Sequence, residues 1–191
     1  WWYRTSFDVP ALKEGQRAEL AFDGVSYRAD VWLNGVQIAS ADEFYGPFRQ
    51  FSFDVTDALK ESNKLAVRIH RWQKGEFNIG FVDWNPRPVD ESMGIFRPVW
   101  LKYSNEVAMK NPVVRSKVDT VSFDEAWLTV EATLCNASDR NISGKLCGKY
   151  EEGSFSYPVE LAAGETKTVS LTADQIKRLH VKNPRLWWCH N

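Results

Sequence analysis

The chain has 191 residues, with 24 basic against 25 acidic side chains, a formal net charge of −1, 43% hydrophobic and 14% aromatic content. That balance excludes a basic nucleic-acid binder, which needs surplus Lys and Arg to neutralise phosphates, and an acidic disordered segment, which lacks so many rings. Apolar runs such as Val31-Trp32-Leu33 are far short of the roughly 20 residues a bilayer span requires, so neither nucleic acid nor membrane is an expected partner.

Period-2 alternation dominates from the first residues, and helical periodicity is almost absent. Trp1-Trp2-Tyr3-Arg4 reads as a strand already in progress, with no charged region followed by an apolar one to mark a signal peptide. Ala18, Leu20 and Phe22 share one strand face, which ends at Asp23-Gly24. In the next strand Tyr27, Ala29, Val31 and Leu33 fall on one face, and Arg28, Asp30 and Trp32 on the other. That strand runs into Asn34-Gly35, the strongest short hairpin signal because both residues tolerate positive φ, and then into Val36-Gln37-Ile38-Ala39. A helical turn is expected around Thr56-Asp57-Ala58-Leu59-Lys60 with Thr56 as its cap, followed by the polar turn Glu61-Ser62-Asn63 and the strand Leu65-Val67-Ile69. The segment Ile95 to Tyr103 closes this series.

From Val107 onward aromatics thin out and shorter strands recur between turn signals: Trp127 to Leu134, Ser143 to Tyr150, Val159 to Leu161 and Lys167 to Leu171. Strands at this spacing predict an immunoglobulin-like sandwich. At about 100–150 residues per domain the length suits two domains, with the boundary near Ser104-Asn105-Glu106. The expected domains are residues 1–104 and 105–191. The C-terminal run Pro184 to Asn191 is aromatic and has no polar tail, so both ends read as cuts in a longer chain.

Cys135, Cys147 and Cys189 show no zinc-type spacing. Cys135 and Cys147 are expected on successive strands of one hairpin but out of register, which predicts free, mostly buried thiols. His70, His180 and His190 are scattered, so no metal and no cofactor is expected. Asn136-Ala137-Ser138 and Asn141-Ile142-Ser143 match the glycosylation acceptor pattern, which occurs often by chance. Nine Trp in an ordinary chain imply aromatic cores or surfaces that stack on flat ligands such as sugar rings. Trp1, Trp2, Trp72 and Trp100 are expected as core or docking surface, and Trp32 as facing a second layer or another domain.

Four stretches of the first half carry a resemblance: Phe22-Asp23-Gly24-Val25-Ser26-Tyr27-Arg28-Ala29-Asp30-Val31-Trp32-Leu33-Asn34-Gly35, then Phe53-Asp54-Val55-Thr56, then Asn63 to Arg68, then Met93-Gly94-Ile95-Phe96-Arg97-Pro98-Val99-Trp100-Leu101. In this order they resemble the N-terminal sugar-binding jelly-roll domain of family 2 glycoside hydrolases, the group of β-galactosidases, β-glucuronidases, β-mannosidases and exo-β-glucosaminidases. The second half resembles the immunoglobulin-like domain that follows it in that family, and Asn183 to Trp188 the segment leading towards the catalytic barrel. The resemblance implies an all-β chain: a partial jelly-roll (galactose-binding-like) sandwich lacking its first strands, then an immunoglobulin-like sandwich. It further implies an accessory region of a retaining exo-β-glycosidase, without catalytic residues of its own, in contact with a (β/α)8 barrel and the carbohydrate substrate held there. A barrel alone takes about 250 residues. An autonomous carbohydrate-binding module is the alternative, and a purely structural sandwich pair a second. Free thiols suit cytoplasm and periplasm alike; a periplasmic or secreted setting is the expectation.

Retaining hydrolysis needs two carboxyl groups about 5–5.5 Å apart. The adjacent pairs Asp42-Glu43, Asp124-Glu125 and Glu151-Glu152 read as solvated loop charges, and Asn105-Glu106 as part of the interdomain connection, so none is assigned catalysis. The informative segment is Gly80 to Gly94, where Pro86, Pro88 and Gly94 fix an irregular loop displaying carboxylates, an amide and an indole. The resemblance implies that this loop reaches the subsite for the non-reducing sugar through Asp83, Trp84, Asn85 and Asp90, with Asp90 the best match to the family's acidic residue. The competing expectation is a brace in which Asp83 or Asp90 pairs with Arg87 or Arg97. The Asp-Trp-Asn-Pro-x-Pro-x-Asp form places the loop closer to the exo-β-glucosaminidase and β-mannosidase branch than to the β-galactosidases.

Overall fold

The computed structural model describes residues 1–76, 88–151 and 153–189. It divides into two compact units, Trp1–Asn105 and Glu106–Asn191, and the all-β expectation holds in both.

In the first unit β1 (Trp2–Asp8), β2 (Arg17–Phe22), β3 (Val25–Ser26), β4 (Arg28–Leu33), β5 (Val36–Ala39), β6 (Phe51–Asp54), β7 (Ser62–His70), β8 (Gly94–Ile95) and β9 (Val99–Ser104) follow in chain order. One antiparallel sheet runs β1-β7-β4-β5, a second β6-β2-β9, and β3 pairs with β8. Alternation sets which side chains meet. Ala29, Val31 and Leu33 of β4 and Val67 and Ile69 of β7 turn inward against Ala18, Leu20 and Phe22 of β2, and all are buried. Asn34 and Gly35 take φ of 53° and 86°, so the β4–β5 turn has the positive dihedrals its dipeptide promised, with Leu33 opposite Val36.

Phe44 belongs to no strand, yet it is 1% exposed. Its ring lies 5.0 Å from Phe22, 4.6 Å from Phe51 and 5.4 Å from Phe53. Asn63, expected in a polar turn, is instead fully buried. Its Oδ1 accepts from the Lys60 amide at 2.9 Å and from Asn34 Nδ2 at 2.9 Å, while its own Nδ2 donates to the Lys60 carbonyl at 2.6 Å. The hairpin turn and the start of β7 are thus joined through two Asn side chains. The turn after β6 is capped two positions earlier than expected: Asp54 Oδ1 accepts the Thr56 amide at 2.9 Å. Thr56 Oγ1 instead receives the Ala18 amide at 3.1 Å, on the neighbouring β2.

The second unit holds β10 (Val107–Val118), β11 (Glu125–Asn136), β12 (Ile142–Tyr150), β13 (Gly153–Leu161), β14 (Thr166–Leu171), a short 3-10 turn at Lys177–Leu179 and β15 (His180–Lys182). One sheet runs β10-β11-β14 with β15 also on β11, and β12 pairs with β13 in a sheet of their own among the described residues. Leu134, Leu146, Val159, Leu161, Val169, Leu171 and Leu179 close a core between them. Gly148 receives the Phe155 ring across the hairpin, where an added Cβ would collide with it.

The cysteine expectation is corrected in part. The three thiols are free, but Cys147 and Cys189 are exposed and Cys135 half-buried. Nor do Cys135 and Cys147 share a hairpin: β11 pairs with β10, β14 and β15, and Cys147 lies opposite Ser156 on β13. The loop leaving β11 turns on Asn136, 2% exposed. Its Nδ2 donates to the carbonyls of Arg140 and Ala162, each at 2.8 Å, and its Oδ1 accepts from the Ser138 amide at 3.0 Å and hydroxyl at 2.7 Å. Among the described residues no group of three or more His, Cys, Asp or Glu is placed to hold a metal ion, and no helix is long and apolar enough to cross a membrane.

Candidate functional site

Asp83, Trp84, Asn85 and Arg87 lie outside the described residues; the C-terminal limb of their loop, Pro88 to Gly94, is described. It closes in two steps, with the Glu91 amide donating to the Pro88 carbonyl at 3.0 Å and the Met93 amide to the Asp90 carbonyl at 3.0 Å. Glu91 and Ser92 both sit in the left-handed region, at φ of 57° and 52°. Two successive non-glycine residues there need outside support.

That support comes from the two residues that follow β7. Arg71 Nη2 pairs with Glu91 Oε1 at 3.0 Å, and Trp72 Nε1 donates to the Glu91 carbonyl at 3.2 Å. On the other side Met93 packs on the core of the first unit, and buried Gly94 pairs with Ser26. Asp90 is exposed, and its Oδ1 accepts the Ser92 amide at 3.0 Å. The carboxylate that braces the loop is therefore Glu91, with Arg71, rather than Asp90 with Arg97. A charged pair separated by twenty positions left no signal in the sequence; the indole of Trp72 anchors the loop instead of filling the core.

Of the other acidic residues weighed, Asp42 and Glu43 lie in a turn. Glu106 is held by Arg140, Nε to Oε1 at 3.0 Å and Nη2 to Oε2 at 2.5 Å. Those hydrogen bonds keep its carboxyl below the ordinary range, which suits a permanent anion rather than an acid/base group.

On the outer face of β4 and β7, Asp30 Oδ2 meets His70 Nε2 at 2.6 Å and Oδ1 accepts the Ala41 amide at 2.8 Å. Partial burial pushes this carboxyl up, but the His70 and Ala41 hydrogen bonds and the charges of His70 and Arg68 outweigh it, leaving it below its ordinary 3.8. A depressed folded value means stability that is present above the unfolded value and lost as pH falls through the folded one. Asp30→Asn should therefore be less stable than the parent chain near neutrality, with the gap closing below about pH 4. Thermal melts of both proteins between about pH 3 and pH 7 check this, and a constant gap would show that the carboxylate's charge contributes nothing.

The first unit is thus an open β sandwich of two main sheets with an irregular loop limb pinned by Arg71 and Trp72. Residues 1–76 match the family model described as glycosyl hydrolase 2 galactose-binding domain-like. An exo-β-D-glucosaminidase of Streptomyces avermitilis is 37% identical over 190 residues, 98% of this chain and 21% of that protein. A β-galactosidase of Bacteroides ovatus is 28% identical over 195 residues, 97% of this chain and 21% of its own length. The solved exo-chitosanase of Amycolatopsis orientalis superposes with a TM-score of 0.87 at 31% identity, covering 98% of this chain and 21% of that one. The chain carries the N-terminal galactose-binding-like domain of family 2 glycoside hydrolases and is homologous to exo-β-D-glucosaminidases and other enzymes of that family. It spans about a fifth of the length of these relatives.

Proposed function

We propose that the chain is the non-catalytic accessory region of a retaining, exo-acting family 2 β-glycosidase. Residues 1–104 form its sugar-binding-type sandwich and residues 105–191 an immunoglobulin-like one. The loop 80–94 lines the subsite for the non-reducing sugar, facing a (β/α)8 barrel elsewhere in the parent enzyme. The observation that carries this is the pinned limb: Glu91 is consumed by Arg71 and Trp72, which leaves the neighbouring Asp90 exposed on a fixed backbone. A rigid loop presenting an exposed carboxylate is what recognition of sugar hydroxyls or an amine requires. Asp83, Trp84 and Asn85 would complete the surface, the indole stacking on a ring face. The identity to exo-β-D-glucosaminidases, 29–37% against 28% for the β-galactosidase, supports a β-D-glucosaminide as substrate, its ammonium facing Asp83 or Asp90.

In the full-length parent, Asp90→Asn should lower kcat/KM on an aryl β-D-glucosaminide about 10- to 100-fold, the value of one charge-assisted contact. Unchanged kinetics for both Asp83→Asn and Asp90→Asn would make the loop a structural brace, and hydrolysis of the β-galactoside only would sink the branch assignment. Micromolar binding of neutral oligosaccharides by this chain alone would favour an autonomous carbohydrate-binding module.

A further inference from the structure

We infer that the outer face of the β1-β7-β4 sheet is a second saccharide site, selective for sugars that carry a carboxylate or sulfate. It is independent of the loop described above.

Cross-strand register builds it. Arg4 lies opposite Ala66, and Ala66 opposite Trp32; one row along, Ser6 lies opposite Lys64; on the other side, Trp2 lies opposite Arg68. The small Ala66 side chain is thus a floor between an indole wall and a guanidinium wall. The result is a groove of about 420 Å³, lined by Arg4, Ser6, Trp32, Lys64 and Ala66, with Gly35 at its end. At Gly35 a Cβ would meet nothing within 4 Å, so that end is open.

The aromatic wall is a pair of indoles in contact. Trp2 packs on Trp32 with 5.4 Å between ring centroids and a tilt of 30° between planes. Arg4 and Arg68 flank the Trp2 ring at 5.5 and 6.0 Å. Two guanidinium groups held against one indole lose less rotamer freedom when they accept a ligand.

The charge selects the ligand. Arg4 and Lys64 are exposed cations, and among the described residues no carboxylate lines the groove. Asp30, the acid nearest in register, is already engaged by His70 and the Ala41 amide. A flat C–H face fits the Trp32 indole, hydroxyls fit Ser6, and an acidic substituent fits Arg4 and Lys64. The combination describes a uronic acid or a sulfated sugar rather than the cationic glucosaminide proposed for the loop.

Calorimetric titration of the chain with tetragalacturonate, a sulfated disaccharide, cellotetraose, a chitosan tetramer and a hexaglutamate peptide tests this. At least one of the two acidic saccharides should bind, and its affinity should fall about tenfold or more in Arg4→Ala/Lys64→Ala. It should fall similarly in Trp32→Ala, and weaken in the parent chain as salt rises from about 50 to about 300 mM. The first variant removes exposed side chains only, so an unchanged thermal midpoint separates loss of the site from loss of fold. Equal binding of cellotetraose or the chitosan tetramer would overturn the selectivity. Equal binding of hexaglutamate would make the face a protein-docking surface instead. Binding that the variants leave intact, or no acidic saccharide bound, would overturn the site itself.

Discussion

Phe44→Ala should lower the unfolding free energy of the first unit by about 3–5 kcal/mol, the cost of removing a fully buried aromatic ring. The ring is the hub of an aromatic cluster with Phe22, Phe51 and Phe53, so the cavity would be bounded by rigid side chains that relax poorly. The backbone at this position is also fixed: the Phe44 carbonyl accepts the Ala29 amide at 3.0 Å and the Phe44 amide donates to the Ser40 carbonyl at 2.9 Å. The loop cannot follow the lost volume inward without breaking those bonds. Phe44→Leu, which keeps most of the volume, should cost well under half as much. Urea denaturation of the three proteins measures both, and equal midpoints for Phe44→Ala and the parent chain would contradict the hub.

Gly94→Ala should cost about 2–4 kcal/mol, for two separable reasons. At φ of 147° a Cβ is strained whatever space surrounds it, and here it would also lie 2.7 Å from the Tyr3 hydroxyl. Tyr3→Phe removes that oxygen and leaves the nearest ring carbon at 3.9 Å. The double variant should therefore recover the steric part and retain the dihedral part, a non-additivity that a double-mutant cycle reads directly. Because Gly94 continues from Met93 and pairs with Ser26, the same change should loosen the loop that presents Asp90. Full additivity would mean that Tyr3 does not close over the glycine.

The elements best announced by the sequence are those whose cause is local. Asn34-Gly35 specifies its own turn, and alternation in β4 and β11 specifies which face is buried, because each depends on residues within a few positions. The second group was decided by partners far along the chain. Phe44 enters the core from a loop because Phe22 and Phe53, on paired strands β2 and β6, leave a space there. Asn63 looks like a turn residue until Asn34, 29 positions away, supplies its partner. Asp54 and Thr56 compete for one cap, and the Ala18 amide on β2 draws the threonine away. The separation of β11 from β12 into different sheets is likewise a matter of which strands cover which, and a short loop between two alternating segments does not reveal it. For the candidate site, the sequence pointed to the loop and to Asp90, but not to Glu91, whose role depends on Arg71 and Trp72 just past β7.

Asn136 sits in an Asn-x-Ser acceptor pattern, yet both protons of its side-chain amide are already committed to the carbonyls of Arg140 and Ala162. Attachment of a glycan to that nitrogen removes one of those donors and forces a bulky group into a position that is 2% exposed. Modification and the folded turn therefore exclude one another: a chain glycosylated there during synthesis could not close the β11 loop, and a folded chain offers the nitrogen to no enzyme. Asn141, in the neighbouring pattern, is exposed, so of the two acceptor patterns it alone remains open to attachment once this unit has folded.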